Sequence, residues 1–154
     1  MPMPDRIRDM IRRHIDGYGQ HVWQIFISEG DTPDSLPFVY TIGNHEWGLP
    51  ELLLIGSNED WAADLLNALG KKQRTRRSAF QHGELVDLGG TFPVRVIDTS
   101  AVGREEYAVQ AGVYYGTDEF KVSQVLLCDR AGRFPDDPAC DPFYRSRQPI
   151  LAPS

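Results

Sequence analysis

Six polar residues crowd one short stretch of the chain: Tyr40, Thr41, Asn44, His45, Glu46 and Glu51. A histidine beside a carboxylate suits a base with its orienting group, or two metal ligands. Adjacent residues in an extended segment point to opposite faces, so His45 and Glu46 would seldom act on one atom. A third ligand would have to come from His21, Asp129 or Glu51. No spacing typical of a metal site accompanies them, and no metal is predicted. Glu51 opens an apolar run, where a carboxylate has a simpler role, accepting backbone amides of the neighbouring loop. Trp47 lies beside Gly48 in that loop, outside any predicted element, and an exposed loop tryptophan is a contact residue.

A second group is the basic run Lys71, Lys72, Arg74, Arg76 and Arg77. With Arg6, Arg8, Arg12 and Arg13 it would form one patch if their two helices were neighbours. The simpler reading is a solvated helix end whose cations complement the helix dipole. No aromatic residue interleaves the run, so stacking on single strands is not indicated. The 22 acidic residues outnumber the 16 basic ones, giving a net charge of −6, which argues against nucleic acid and anionic membranes as partners.

No phosphate-binding glycine loop, nucleophile elbow, zinc-protease helix or calcium loop is present. The two cysteines, Cys128 and Cys140, fit neither a zinc site nor a disulfide scaffold. Cys128 ends an apolar strand and is expected to be buried, whereas Cys140 is expected to be the more exposed thiol. Reduced thiols and the lack of a secretory pattern at the N-terminus point to the cytoplasm. No apolar run approaches the ~18 residues of a membrane span.

The elements that must position these residues are legible in outline. Ile7, Met10, Ile11 and Ile15 share a helical face over Asp5–Ile15. Strands are predicted at His21–Ser28, Phe38–Gly43 and Glu51–Ile55, with a polar loop at Gly30–Pro37. Short links favour an antiparallel meander. Ser57, Asn58 and Asp60 start a second helix, with Trp61, Leu65, Leu66 and Leu69 as its buried stripe. Gly70 ends it, unless the basic run extends it. Glu84–Leu88 and Phe92–Ile97 flank a Gly89-Gly90 turn. Arg104–Tyr115 is helical, Phe120–Cys128 is a strand, and Asp129–Arg133 is a turn. Residues 1–154 form a single domain, with a helix in residues 1–17 and an irregular proline-rich tail in 136–154. The order suits an α+β fold, with a mostly antiparallel sheet of about five or six strands. Two or three helices pack on it, on one face.

Three stretches carry a resemblance. They are Phe38-Val39-Tyr40-Thr41-Ile42-Gly43 followed by Gly48-Leu49-Pro50-Glu51-Leu52; Leu126 to Pro135, where Asp129 precedes Gly132-Arg133-Phe134-Pro135; and Gln148-Pro149-Ile150-Leu151. In that order they resemble the bacterial family called domain of unknown function 4262, from about Gly17 to Leu151. Members commonly carry leucine where this chain has Asn44, and often tryptophan where it has Asp136. The family name implies no activity. A looser similarity extends to the flavin-reductase-like split barrel and to the Suppressor-of-fused-like interaction domains.

The leading expectation is a non-enzymatic ligand- or protein-binding domain. It would use the Phe38–Leu52 strand-loop-strand surface, with Asp129 and Arg133 as neighbours. The alternative is a flavin-dependent or metal-assisted enzyme using Tyr40, His45, Glu51 and Asp129. No cofactor is predicted, flavin being the minor possibility. The partner (protein or small molecule) and the oligomeric state are left open.

Overall fold

The computed structural model describes residues 2–25 and 36–153. The predicted strand end at Phe26–Ser28 and most of the Gly30–Pro37 loop lie outside the described residues. Among the described residues there are six strands: β1 His21–Ile25, β2 Phe38–Ile42, β3 Glu51–Ile55, β4 Glu84–Val86, β5 Val94–Asp98 and β6 Val122–Leu126. They form one sheet in the order β1-β2-β3-β6-β5-β4. The meander β1-β2-β3 is antiparallel, as expected from the sequence. The one parallel pairing, β3 with β6, sets Glu51 opposite Val122 and joins the two halves of the sheet. The fold is α+β, and the sheet is mostly antiparallel.

Among the described residues four α-helices accompany the sheet: α1 Asp5–Tyr18, α2 Asp60–Arg76, α3 Val109–Tyr115 and α4 Pro142–Ser146. They do not share one face, contrary to the sequence expectation. Ile11 and Ile15 of α1 and Ala111 of α3 pack with Tyr40, Ile42, Leu53, Ile55 and Val122. Ala62, Leu66 and Leu69 of α2 pack on the opposite side, against Val39, Leu52, Leu54, Val96 and Val125. The physical reason lies in β3. All five of its residues are buried, and a strand apolar at consecutive positions must be covered on both faces.

Other departures have local causes. Trp61 is 45% exposed, and its indole N–H donates to Glu59, so it is not part of the buried stripe. That stripe instead continues as Ala62, Leu66, Leu69 and Gln73. The predicted helix at Arg104–Tyr115 is divided at Ala108, with a wider π-helical turn over Gly103–Tyr107 before α3. The strands around Gly89-Gly90 are shorter than predicted, ending at Val86 and beginning at Val94. The tail is more ordered than a proline-rich segment suggests. Asp141 caps α4 by accepting the Phe143 N–H. Buried Gln148 then exchanges two hydrogen bonds with the Leu127 backbone, and buried Gln124 bonds Pro149 and Leu151. Side-chain amides thus tie the tail to β6 and the residue that follows it.

Gly70 does not end α2, which runs on to Arg76; Arg77 closes it in the left-handed region at φ 55°. The glycine serves a close approach. A Cβ there would collide with the Gln20 carboxamide oxygen and lie 2.9 Å from Arg74 Nη1. In an exposed helix Gly→Ala stabilises by about 1 kcal/mol. Here Gly70→Ala is expected to destabilise by about 1–3 kcal/mol, because the crowded carboxamide is itself held in place. Urea denaturation of the two proteins measures it, and an unchanged or raised midpoint would remove the packing role given to Gly70.

Candidate functional site

Between β2 and β3 the chain makes a 3-10 turn over Asn44–Trp47, bracketed by Gly43 at φ 131° and Gly48 at φ 73°. Gly43 sits against Gly19 O and Gln20 Cα, 2.9 and 3.0 Å from where a Cβ would be, so the turn is pressed onto the α1–β1 junction. The β2–β3 pairing stops at Tyr40–Leu53. Beyond it the Leu52 N–H donates to Thr41 Oγ1 at 2.9 Å, and the strands part to admit the Glu51 carboxyl.

Glu51 is completely buried. Its Oε1 accepts from Thr41 Oγ1 at 2.7 Å, Asn44 N at 3.2 Å and Asn44 Nδ2 at 3.3 Å. Its Oε2 accepts from His45 N at 2.9 Å, Gly43 N at 3.3 Å and the Tyr115 hydroxyl. The carboxyl therefore binds the loop amides, the role expected of a carboxylate at this place. Burial pushes Glu51 above the usual carboxylate range, and the bonds from Tyr115, His45, Thr41 and Asn44 offset this only in part. The surrounding donors decide its state. Thr41 Oγ1 already accepts from Leu52 N and Asn44 Nδ2, and the Tyr115 oxygen accepts Gly43 N at 2.6 Å. Both hydroxyl protons are then free to point at Glu51, an arrangement that suits an ionised carboxylate accepting at both oxygens.

A second layer supplies the opposite charge. Arg74 Nη1 donates to Asn44 Oδ1 at 2.8 Å and Gln20 Oε1 at 2.7 Å, and Nη2 reaches Tyr18 O at 3.2 Å. Gln20 in turn donates to Leu66 O and Asn67 Oδ1, and Asn44 Nδ2 to Gln20 Oε1. Burial lowers the Arg74 pKa while the Glu51 charge raises it, so the two ions support each other through Asn44. Gln73 closes the underside by donating to Pro50 O at 2.9 Å.

The candidate residues divide accordingly. Thr41, Asn44 and Glu51 are internal to this network. Tyr40 is buried, its hydroxyl accepts the Gln110 N–H at 3.0 Å, and burial pushes its phenol up. His45 sits edge-on to the Tyr115 ring at 4.9 Å. Glu46 faces outward and pairs with Arg12 at 2.8 Å. Trp47 is 50% exposed. Asp129 and Arg133 are not brought to this group. Asp129 follows the far end of β6, whereas Glu51 pairs with its start. There Asp129 accepts from Ala131, Arg133 and Asp141 N–H, each at 2.9 Å, and from Arg133 Nε at 3.2 Å. The bond from the Arg133 N–H leads the causes that hold it down to about 2. It shapes the turn that joins β6 to the tail.

The basic run also divides. Arg74 turns inward, and Arg76 pairs with Glu84 at 2.9 Å, while Lys71, Lys72 and Arg77 are exposed. On α1, Arg12 goes to Asp16 and Glu46, and Arg8 donates to the Tyr114 carbonyl, so these two arginines of α1 do not extend the patch. The thiols exchange their expected places. Cys140 is buried beneath the Asp129 turn, donating to Arg133 O at 3.4 Å, and Cys128 is partly exposed. Burial pushes both pKa values up, so neither is activated as a nucleophile. Among the described residues no three His, Cys, Asp or Glu side chains group to hold a metal ion, and no helix is long and apolar enough to cross a membrane.

Gln20, Gln73 and Tyr115 are network members that the residue pattern alone does not single out. A signal existed for Gln73, which falls in phase with Ala62, Leu66 and Leu69 and so had to be buried with partners. Tyr115 stands out only as one aromatic among many.

A family model described as "Domain of unknown function (DUF4262)" matches residues 14–141. The chain belongs to this family. The DUF4262 span takes in the whole Glu51–Arg74 network, including Gln20, Asn44 and Tyr115. Neither the search of curated proteins nor that of solved structures returns a match.

Beside the network, His14 of α1 and His21 of β1 face each other, Nδ1 to Nδ1, at 2.7 Å. One nitrogen must donate and the other accept, so both rings cannot be imidazolium. Burial first, then the His14 charge, holds the His21 pKa down to about 4. Because the unfolded value is about 6.5, the unfolded chain binds more protons between the two. The stability from neutral His21 is complete above about 6.5 and is lost as pH falls towards 4, by on the order of 1–2 kcal/mol for a partly exposed ring. Denaturation of wild type and His21→Phe across that window measures it. Parallel curves would contradict it; the expected result is a shallower acid loss in the variant.

Proposed function

We propose that this protein is a non-enzymatic ligand- or protein-binding domain whose recognition segment is the Phe38–Leu52 strand-loop-strand. The carrying observation is Trp47, 50% exposed on a turn that Glu51 ties down at three consecutive amides. A large ring presented by a rigid support loses little freedom on binding, which favours affinity. The polar residues that would serve catalysis have other occupations: Glu51 is saturated by donors, Tyr40 is bonded to α3, and Asp129 lies at the opposite end of β6. These placements support binding over the flavin-dependent or metal-assisted alternative.

A thermal-shift screen of metabolites, with chemical crosslinking of native partners, tests it on wild type and Trp47→Ala. The variant should keep the wild-type melting temperature within the ~0.5 kcal/mol of a surface change. It should bind the ligand or partner at least ~30-fold more weakly, as loss of a central aromatic contact does. Equal binding by both proteins would remove the segment from the recognition surface.

A further inference from the structure

The C-terminal ends of α1 and α2 meet beside the Asn44–Trp47 turn, and two hollows open there. One, of about 640 Å³, is lined by His14, Gln20, His21 and Asn67 among others. The other, of about 610 Å³, is lined by Trp47, Thr75 and Arg77 among others. Tyr18, Lys71 and Arg74 line both, and each volume lies in the ~300–1,000 Å³ range of small-molecule sites.

Their charge is unusual for this chain. Acidic residues outnumber basic ones, 22 to 16, yet no carboxylate lines either hollow. Arg12, Arg76, Arg95, Arg104 and Arg133 each have a carboxylate partner. Among the described residues Lys71 and Arg77, like most of the remaining cations, have none. Among the described residues neither cation bonds a helix-end carbonyl. The Ile15 carbonyl is taken by the Gly19 N–H, those of Gln73 and Arg74 by the Ser78 and Arg77 N–H groups, and that of Tyr18 by Arg74. Arg74 is 7% exposed and fixed by Gln20, Asn44 and Tyr18, so it need not be ordered when an anion arrives, and it shares its charge with the buried Glu51. Two rings stand on the rim: Tyr18, 77% exposed, and Trp47. Their exposed faces suit a planar group.

We infer that these hollows form one site for a small phosphate ester carrying a planar ring, the chemistry of a mononucleotide. Lys71 and Arg77 meet the phosphate, Arg74 adds its fixed charge from beneath, and Trp47 and Tyr18 hold the ring. The assignment rests on the binding reading above and names its ligand class.

Calorimetric titration tests it with AMP, adenosine and inorganic phosphate as separate probes. AMP should bind at least tenfold more tightly than either of its parts, and more weakly as salt rises. Lys71→Ala with Arg77→Ala should weaken AMP at least tenfold at unchanged melting temperature, and Lys72→Ala, which lines neither hollow, should leave it unchanged. No heat with AMP at millimolar concentration overturns the inference, as does an unaffected Lys71/Arg77 variant. Phosphate binding as tightly as AMP overturns the ring contact, and a short single-stranded RNA binding far more tightly than AMP overturns the small-molecule assignment. If AMP fails but another ligand or partner is lost in Trp47→Ala, only this inference falls. If AMP binds and Trp47→Ala leaves its affinity intact, the recognition role of the turn falls, and with it the ring contact given to Trp47.

Discussion

Glu51→Gln should destabilise the protein by about 3–5 kcal/mol, the cost of leaving a buried opposite charge without its partner. The two side chains have nearly the same volume, so no cavity term enters. The amide carries two N–H donors into a place where every neighbour already donates: Gly43, Asn44 and His45 through the backbone, Thr41 and Tyr115 through hydroxyls. At least one donor must lose its acceptor, and the positive charge of Arg74 is left uncompensated. For a domain whose total stability is ~5–15 kcal/mol, that is a large share. Chemical denaturation with an unchanged slope gives the number. A loss below ~1 kcal/mol would mean that the carboxylate is not what holds the turn.

Arg74→Met should cost a similar ~3–5 kcal/mol by the complementary route. The variant keeps the aliphatic stem but strips donors from Gln20 Oε1, Asn44 Oδ1 and Tyr18 O at once. It also leaves Glu51 ionised and fully buried without a compensating charge. Because both residues act through Asn44, the combined Glu51→Gln/Arg74→Met protein should be markedly less destabilised than the sum of the two changes, by ~1–3 kcal/mol. Strict additivity would mean that the two ions are energetically independent, and the shared network would have to be abandoned.

Much of this frame is legible in the residues themselves, and the limits have physical reasons. β2 is rich in β-branched and aromatic residues and β3 is a short apolar run, so their positions follow from composition. The same ELLLI run also signals burial on both faces, which contradicts helices on one face. Gly70 carries two meanings, helix end or close packing, and only the position of Gln20 chooses between them. Arg74 sits in a run of five cations whose composition suggests solvent. Its inward turn depends on Gln20 and Asn44, 54 and 30 residues away along the chain. Such long-range polar pairing has no local periodicity. The place of Cys140 depends likewise on the Asp129 turn, whose carboxylate gathers amides from both sides of it.

For the site, the residue types of Phe38–Leu52 reveal a polar cluster but not the separate roles within it. Thr41, Asn44 and Glu51 hold the turn from within. Trp47 is what the turn presents. Both kinds of residue stand at similar spacing along the chain, and burial alone separates them.

The hydrogen bonds give Glu51 the role of a fixed anion that builds this turn. The most direct measurement is the carbon-13 NMR shift of the Glu51 carboxyl, assigned through the Glu51→Gln protein and followed with pH. The prediction is an ionised carboxylate at neutral pH that does not titrate near neutrality while the protein remains folded. A carboxyl that is protonated at neutral pH, or titrates close to it as a general acid or base must, would contradict that role.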